Sequence, residues 1–257
     1  DSLNSGALPR HPTDASRGDA PLNRSKTVAT WLGPPAGSLP SEVGGRTETW
    51  SAWMQDAWAF APRWKAVLGL RWEDWTASDG MSANTTSRLD YPKRSESDAS
   101  PKAALAYQLT DRTVLKGSLG RAVRYPTVGE LYGATSGGAL SFVNDPDLKP
   151  EKSWTSELTA EHDLGKGLAR ATLFHEETRD ALYSQQVPGT SPVVSRVQNV
   201  DKVRTTGFEL AYSGQDVWIK GLEFGASLTF ADSKIVDNAA FPASVGKWQP
   251  RVPRWRS

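Results

Sequence analysis

From Arg46 onward the chain alternates. Trp50, Ala52, Met54, Trp58 and Phe60 share one parity, broken only by Asp56, and Ala61-Pro62-Arg63-Trp64 forms a short turn. Ala66, Leu68, Leu70 and Trp72 then oppose Val67, Gly69, Arg71 and Glu73. A period of two with one greasy face and one polar or small face predicts paired β-strands. A polar loop is expected over 76–99, where Gly80, Asn84 and Pro92 fall. The next strand sets Pro101, Ala103, Leu105, Tyr107 and Leu109 against Lys102, Ala104, Ala106 and Gln108. After a tight turn at Thr110-Asp111-Arg112, Leu115, Gly117 and Leu119 return opposite Lys116, Ser118 and Gly120.

Pro126, Pro146 and Pro150 each fix φ and remove a backbone donor, so the interval 126–152 is read as a long loop between two strands. Trp154, Ser156, Leu158, Ala160, His162 and Leu164 then alternate with Thr155, Glu157, Thr159, Glu161 and Asp163, and Gly165-Lys166-Gly167 turns the chain. The return strand, roughly 168–185, loses its parity at Phe174, for which a β-bulge is the expected cause. A loop over 186–198 leads to Phe208, Leu210 and Tyr212. A short connection at 214–220 precedes the cleanest strand, Leu222, Phe224, Ala226, Leu228 and Phe230. A loop at 234–246 and a strand start at Lys247–Arg254 complete the pattern. Residues 1–45, polar and rich in Gly, Pro and Ser, are expected as a loop or disordered segment, and 46–257 as the folded unit.

The connections alternate short and long. An antiparallel sheet with short turns on one rim and long loops on the other is the pattern of outer-membrane barrels. A soluble β-sandwich also alternates parity, but nothing forces its long loops onto one rim. Trp and Tyr near strand ends (Trp50, Trp58, Trp64, Trp72, Trp75, Tyr125, Trp154, Trp218) fit an aromatic girdle. The expected fold is therefore all-β: an antiparallel transmembrane β-barrel, here a partial one of about eight to nine strands with long extracellular loops.

Composition sharpens this. Only 38% of residues are hydrophobic, yet there are eleven Trp, and the mean hydropathy is −0.50. No run of eighteen apolar residues exists, which excludes a transmembrane helix but not a transmembrane strand. The absence of Cys removes disulfides and thiolate metal sites, and a net charge of +1 gives no bulk attraction to nucleic acid. Without an initiator Met or a signal peptide, the chain reads as part of something longer.

No catalytic constellation is apparent. His11, His162 and His175 are scattered, so neither a metal site nor a His-based triad is expected, and no cofactor. If the greasy faces meet lipid, Glu157, Glu161, Glu209, Glu223, Arg71, Lys102, Lys116 and Arg170 point into the lumen as a solvated wall.

Three ordered segments resemble the β-barrel of TonB-dependent outer-membrane receptors. Gly120-Arg121-Ala122-Val123-Arg124-Tyr125-Pro126-Thr127-Val128-Gly129-Glu130-Leu131-Tyr132 is similar to the family's arginine–aliphatic–proline–x–x–x–glutamate–leucine segment. Asp145-Pro146-Asp147-Leu148-Lys149-Pro150-Glu151 is similar to its asparagine–proline–x–leucine–x–proline–glutamate signature, with Asp145 where asparagine is commoner. Val197-Gln198-Asn199-Val200 followed by Gly207-Phe208-Glu209 is a third match, and Gln55-Asp56-Ala57-Trp58 a weaker one.

The resemblance implies a bacterial outer-membrane importer rather than an enzyme, here the middle-to-late part of a barrel of about twenty-two strands. Its plug domain and the segment that meets the TonB energy-transducing complex have no counterpart in this chain. A ferric siderophore or similar small ligand would be met at the extracellular mouth, where Arg121, Arg124, Tyr125 and Tyr132 are candidates through charge-assisted hydrogen bonds and stacking. Packing of their own loop is the alternative role for these four. Glu157, Glu161, Arg170 and Glu209 are the candidates to face the plug. A soluble Trp-rich β protein that binds carbohydrate and a non-gated, porin-like barrel are the competing readings.

Overall fold

The computed structural model describes residues 22–32, 42–83, 88–137, 140–186, 189, 194–217 and 219–257. The strands are β1 (Leu22–Leu32), β2 (Glu42–Ala61), β3 (Trp64–Ala83), β4 (Arg88–Tyr91), β5 (Arg94–Thr110), β6 (Thr113–Arg124), β7 (Ala134–Gly137), β8 (Leu140–Val143), β9 (Glu151–Asp163), β10 (Gly167–Gln186), β11 (Val194–Gln215), β12 (Glu223–Asp237) and β13 (Trp255–Arg256), with one helix, α1 (Val128–Tyr132). One sheet runs in the order β1-β2-β3-β5-β6-β9-β10-β11-β12-β13, each neighbour antiparallel. β4 pairs with β3, and β8 joins the sheet parallel to β11. Among the described residues the sheet does not close: β1 pairs only with β2, and β13 only with β12.

The expected topology holds. Gln108 N donates to Arg63 O (2.8 Å), Asp163 N to Arg112 O (2.8 Å) and Gln215 N to Lys166 O (3.0 Å), so the turns near 62, 111, 166 and 216 share one rim. Antiparallel order then sends every longer connection to the opposite rim.

Register sorts the two faces. Trp58, Ala66, Leu105, Gly117, Leu158, Leu173, Phe208 and Phe230 form one continuous cross-strand row. The neighbouring row runs Leu115, Ala160, Ala171, Leu210 and Leu228. This outer face is exposed in the isolated chain, with Leu158 at 59% and Leu173 at 60%. A water-soluble core buries such residues; a barrel gives them to lipid. On β3 the apolar stretch from Trp64 to Trp72 covers about 26 Å along the strand, hence about 20 Å along the membrane normal at the usual tilt. Trp72 and Trp154 lie exposed at its upper edge, and Trp64 packs on Tyr107 at its lower one (ring centroids 4.4 Å apart). No helix among the described residues is long and apolar enough to cross a membrane, so crossing falls to the strands.

Several expectations need correction. Residues 22–32 and 42–45, within the stretch read as a loop or disordered segment, are strand; the rest of 1–45 lies outside the described residues. The supposed loop 76–99 is mostly strand: β3 and β5 stay paired up to Ala77↔Arg94. Beyond the lipid band both faces of a strand meet water, so the apolar parity vanishes while the backbone ladder continues. Phe174 causes no bulge. Register is unbroken through Phe174↔Gly207 and Phe174↔Glu157, and the ring lies on the inner face over Gly207, where an added Cβ would sit 2.4 Å from the ring's Cζ. The last segment, expected as a strand from Lys247, is instead broken. A 3-10 turn at Pro242–Ser244 precedes it, and only Trp255–Arg256 pairs as strand. Pro250 and Pro253, which cannot donate to a ladder, sit in the break.

Arg in place of Leu158, midway between Trp154 and the lower rim, is expected to cost about 2–4 kcal/mol of stability in a bilayer. Arg in place of Thr159, on the inner face, is expected to cost much less. Reversible denaturant unfolding in lipid vesicles compares the two; equal losses would contradict the assignment of faces.

Candidate functional site

The chain's hydrophobic core lies on the inner face, where the segment after β6 folds back over the sheet. Trp75, Ala77, Val128, Leu131, Tyr132, Leu148 and Leu182 form one buried cluster, with Val43, Tyr91, Tyr125 and Val197 packed against it. The largest fully buried side chains include Leu131, Tyr132, Leu148, Pro126 and Pro150. All five belong to the two loop motifs.

Local sequence explains how the loop starts. Pro126 ends the strand, and Thr127 caps α1: its Oγ1 accepts from Glu130 N (3.3 Å), while the Glu130 carboxylate accepts from Thr127 N (2.9 Å). One helical turn then aims Val128, Leu131 and Tyr132 at the sheet. The Tyr132 ring stacks on Tyr91 at 5.0 Å and covers Gly45 and Gly80, where an added Cβ would approach the ring to 2.6 and 2.4 Å. Two strands leave out a side chain so that one aromatic ring can lie flat on them.

Polar groups complete the latch. Asn144 donates to Gly129 O (2.7 Å) and accepts from Val197 N (3.2 Å). Asn199 accepts from Lys149 N (2.8 Å) and donates to Lys149 O (3.0 Å) and Asp180 O (2.7 Å). Glu151 accepts from Leu182 N (2.9 Å) and lies 3.7 Å from Arg124, which also pairs with Glu130 at 3.0 Å. These bonds satisfy backbone groups that no ladder could reach. The three sequence motifs, far apart in the chain, meet here.

A second cluster forms where the sheet splits. β5 and β6 pair only as far as Lys102↔Gly120. Beyond that point Arg121 reaches into the gap, bonding Ala99 O and pairing with Asp98 at 2.8 Å. Lys152 pairs with the same carboxylate at 3.0 Å, and Tyr125 Oη donates to it at 3.5 Å. Burial pulls the Asp98 pKa upward, but the hydrogen bonds and charges of Arg121 and Lys152 outweigh it and hold the carboxyl below its ordinary range. Burial, then the Asp98 charge, pushes the Tyr125 hydroxyl well up, so it stays protonated. Tyr125 stacks on Trp75 at 5.4 Å, and Arg94 sits over the same indole while donating to Pro146 O (2.8 Å).

Arg121, Arg124, Tyr125 and Tyr132 are thus brought together; Arg121 and Tyr132 turn into the protein, while Arg124 stays exposed with its pairs to Glu130 and Glu151. Tyr132 is 2% exposed and Arg121 is committed to Asp98 and Ala99, which corrects the expectation that these two side chains present themselves at the mouth. Sequence reasoning overlooked Arg94, Asp98 and Asn144 as anchors; all stand in polar stretches where periodicity carries no signal. The second group shares the face opposite the apolar rows. Glu161 pairs with Lys116 (2.6 Å) and Arg170 (3.0 Å), Glu157 accepts from Ser118 (3.4 Å), and Glu209 accepts from Thr229 (3.4 Å). Among the described residues no group of three or more His, Asp or Glu side chains could hold a metal ion.

An open wall of lipid-spanning antiparallel strands, short turns on one rim and a motif-built loop folded inward from the other define the class: a segment of a transmembrane receptor barrel. The family model for the TonB dependent receptor-like β-barrel matches residues 12–257, and the chain belongs to that family, whose members are outer-membrane receptors. It is 28% identical over 200 residues to the iron-regulated outer membrane virulence protein of Vibrio cholerae, covering 72% of this chain and 27% of that protein. It is 25% identical over 194 residues to a probable TonB-dependent siderophore receptor, PiuA, of Acinetobacter baumannii, covering 74% and 24%. The chain therefore spans about a quarter of the length of these curated relatives. Among solved structures, the siderophore receptor PiuA from A. baumannii superposes with a TM-score of 0.65 at 21% identity, over 84% of this chain and 31% of that one. The ferric yersiniabactin uptake receptor FyuA from Yersinia pestis superposes with 0.64 at 19%, over 92% and 34%. At these identities the likeness shows the fold. The protein resides in the bacterial outer membrane.

Two outcomes test the latch. Gly80→Val should force Tyr132 out and expose 126–150 to protease, and in a Tyr132→Ala background the same change should cost far less, giving a coupling of roughly 1–3 kcal/mol. Additive effects would mean the ring does not rest on Gly80. Because the folded pKa of Asp98 is depressed, its contribution is present above the unfolded value of about 4 and lost as pH falls through the lowered one. Protease protection of the loop should fall across that acid window in the native protein, and Asp98→Asn should flatten the dependence.

Proposed function

We propose that this chain is the wall of an importer that carries a ferric-siderophore-type ligand across the outer membrane, energised through TonB and performing no catalysis on its cargo. The observation that carries the reading is the meeting of the three receptor-type motifs in one buried latch, in a chain whose relatives are named as an iron-regulated outer membrane virulence protein and a probable TonB-dependent siderophore receptor. In this reading Arg121, Arg124, Tyr125 and Tyr132 hold the rim loop in place, and the ligand meets side chains farther out on the long loops. Glu157, Glu161, Arg170 and Glu209 face whatever domain fills the lumen.

Such a protein needs no chemistry of its own at the wall. It needs a rigid cylinder, so that loops on one rim stay registered with a moving part inside. Paired charges such as Lys116–Glu161–Arg170 suit that role, since they leave a polar but electrically quiet surface.

Iron-starved cells lacking their own siderophore receptors are expected to regain uptake of at least one radiolabelled ferric siderophore when they express the protein, and to lose it when TonB is absent. Catecholate and hydroxamate complexes, haem, cobalamin and copper should be compared side by side. Growth and uptake on none of the ferric siderophores, with uptake of another cargo, would remove the iron reading and leave the receptor class standing. Uptake of ferric siderophore that persists without TonB would remove the energised mechanism.

A further inference from the structure

On the outward face of β9 to β12 the lipid-facing row of Leu158, Leu173, Phe208 and Phe230 gives way to charge. His175, Thr206 and Asp232 follow it, away from the short turns. The next row is Trp154, Glu177, Arg204 and Lys234, and beyond it Arg179 stands opposite Lys202. Trp154 bounds the charged row on β9, and Trp248, bridged to Lys234, bounds it past β12.

Two of these cross-strand pairs, Arg179↔Lys202 and Arg204↔Lys234, set like charges directly opposite each other. Such pairs weaken a sheet unless an anion lies between them. The carboxylates of this face answer part of the demand. Glu177 lies 2.7 Å from Lys202 and 3.4 Å from Arg179. Asp232 accepts from Lys234 (2.8 Å) and from the Trp248 indole (3.1 Å). Arg204 is exposed and forms no ion pair among the described residues; nor does Asp237, opposite Lys202 at the end of β12. Arg254 adds a further cation, 5.5 Å from the Phe230 ring and 4.7 Å from that of Trp248. Cations outnumber carboxylates on this patch.

Counted from the short turns, the corresponding level of β2, β3 and β5 differs. Trp50, Asp74 and Ser97 form one row there, and Glu48, Thr76 and Ser95 the next. Asp74 accepts from Ser97 (2.7 Å), and Arg46 pairs with Glu48 (2.8 Å). Between the two regions, Arg121 and Lys152 are both taken up by Asp98. Among the described residues, the positive excess at this level is local to β10, β11 and β12.

A lipid whose chains lie against Leu173, Phe208 and Phe230 must set its headgroup on the rows above them. Short turns of outer-membrane barrels are periplasmic, so the patch, at the other end of the strands, faces the outer leaflet. The glycolipid of that leaflet carries phosphates on its sugar head, and guanidinium and ammonium groups bind phosphate by charge-assisted hydrogen bonds. We propose that the outward face of β10, β11 and β12 is a binding site for the lipid A portion of lipopolysaccharide. Its acyl chains cover the apolar row. A phosphate sits among Arg204, Lys202 and Arg179, where it separates the like charges, and Trp154 and Trp248 flank the sugar, as amphipathic rings do at a membrane interface. The site concerns the lipid around the barrel and holds whatever the cargo is.

The test uses the protein extracted from outer membranes in mild detergent, stripped of lipid by detergent exchange and titrated with defined lipids. Native mass spectrometry counts what is bound. Bisphosphorylated lipid A should bind saturably, and its dephosphorylated form, with the same acyl chains, about tenfold or more weakly. Phosphatidylglycerol, which has an anionic phosphate but no sugar disaccharide, should also bind more weakly than lipid A. Arg204→Gln should weaken lipid A binding about tenfold, as loss of a charge-assisted bond implies, and Arg204→Lys should restore most of it. Arg179→Gln, at a side chain 69% exposed, should weaken it several-fold and replaces Arg204→Gln should that variant fail to fold. Arg46→Gln, on the outward face of β2, should leave it unchanged. Equal binding of dephosphorylated lipid A or of phosphatidylglycerol, or equal effects of Arg204→Gln and Arg46→Gln, would overturn the proposal.

Discussion

Hydrocarbon offers no hydrogen-bond partner, so a backbone that crosses it must find every partner in its neighbours. The architecture follows from that demand. β3, β5, β6, β9, β10 and β11 each pair on both sides through the apolar band, and the turns joining them on one rim span only a few residues. Outside the band water could take over, yet β2, β3 and β10 run to 20 residues and β11 to 22. Polar strand extensions such as Ala77↔Arg94 keep the ladder and lift the loops well clear of the bilayer.

A barrel wall is inverted relative to a soluble domain: its greasy side faces out and its inner side is wet. It therefore has little of its own to hold a long loop. The latch answers this by importing a small soluble-type core to the inner rim. Leu131, Tyr132 and Leu148 supply buried area, Gly45 and Gly80 supply the space, and Asn144, Asn199 and Glu151 close the exposed backbone groups. The Asp98 cluster repairs a different weakness, the split between β5 and β6, by setting two cations and a phenol around one carboxylate. Both devices hold the rim loop firmly against the wall.

The apolar parity of Leu68, Leu105, Leu158, Leu210 and Leu228 determined from the sequence alone which face meets lipid, because a strand's period of two admits one answer once a face is greasy. The alternation of short and long connections likewise determined the rims. Parity was silent wherever both faces of a strand are wet, which is why 76–99 read as loop and why β1 was missed. It was misleading at Phe174, whose inward ring lies over a glycine of the neighbouring strand, and that Gly207 lies 33 residues away in the chain. The motifs around Arg121 and Glu151 announced a family but not their own roles. Whether Arg121 meets a ligand or Asp98, and whether Tyr132 is a surface or a core residue, depends on what stands opposite. That was decided only when folding brought β2, β3, β10 and β11 beneath one loop.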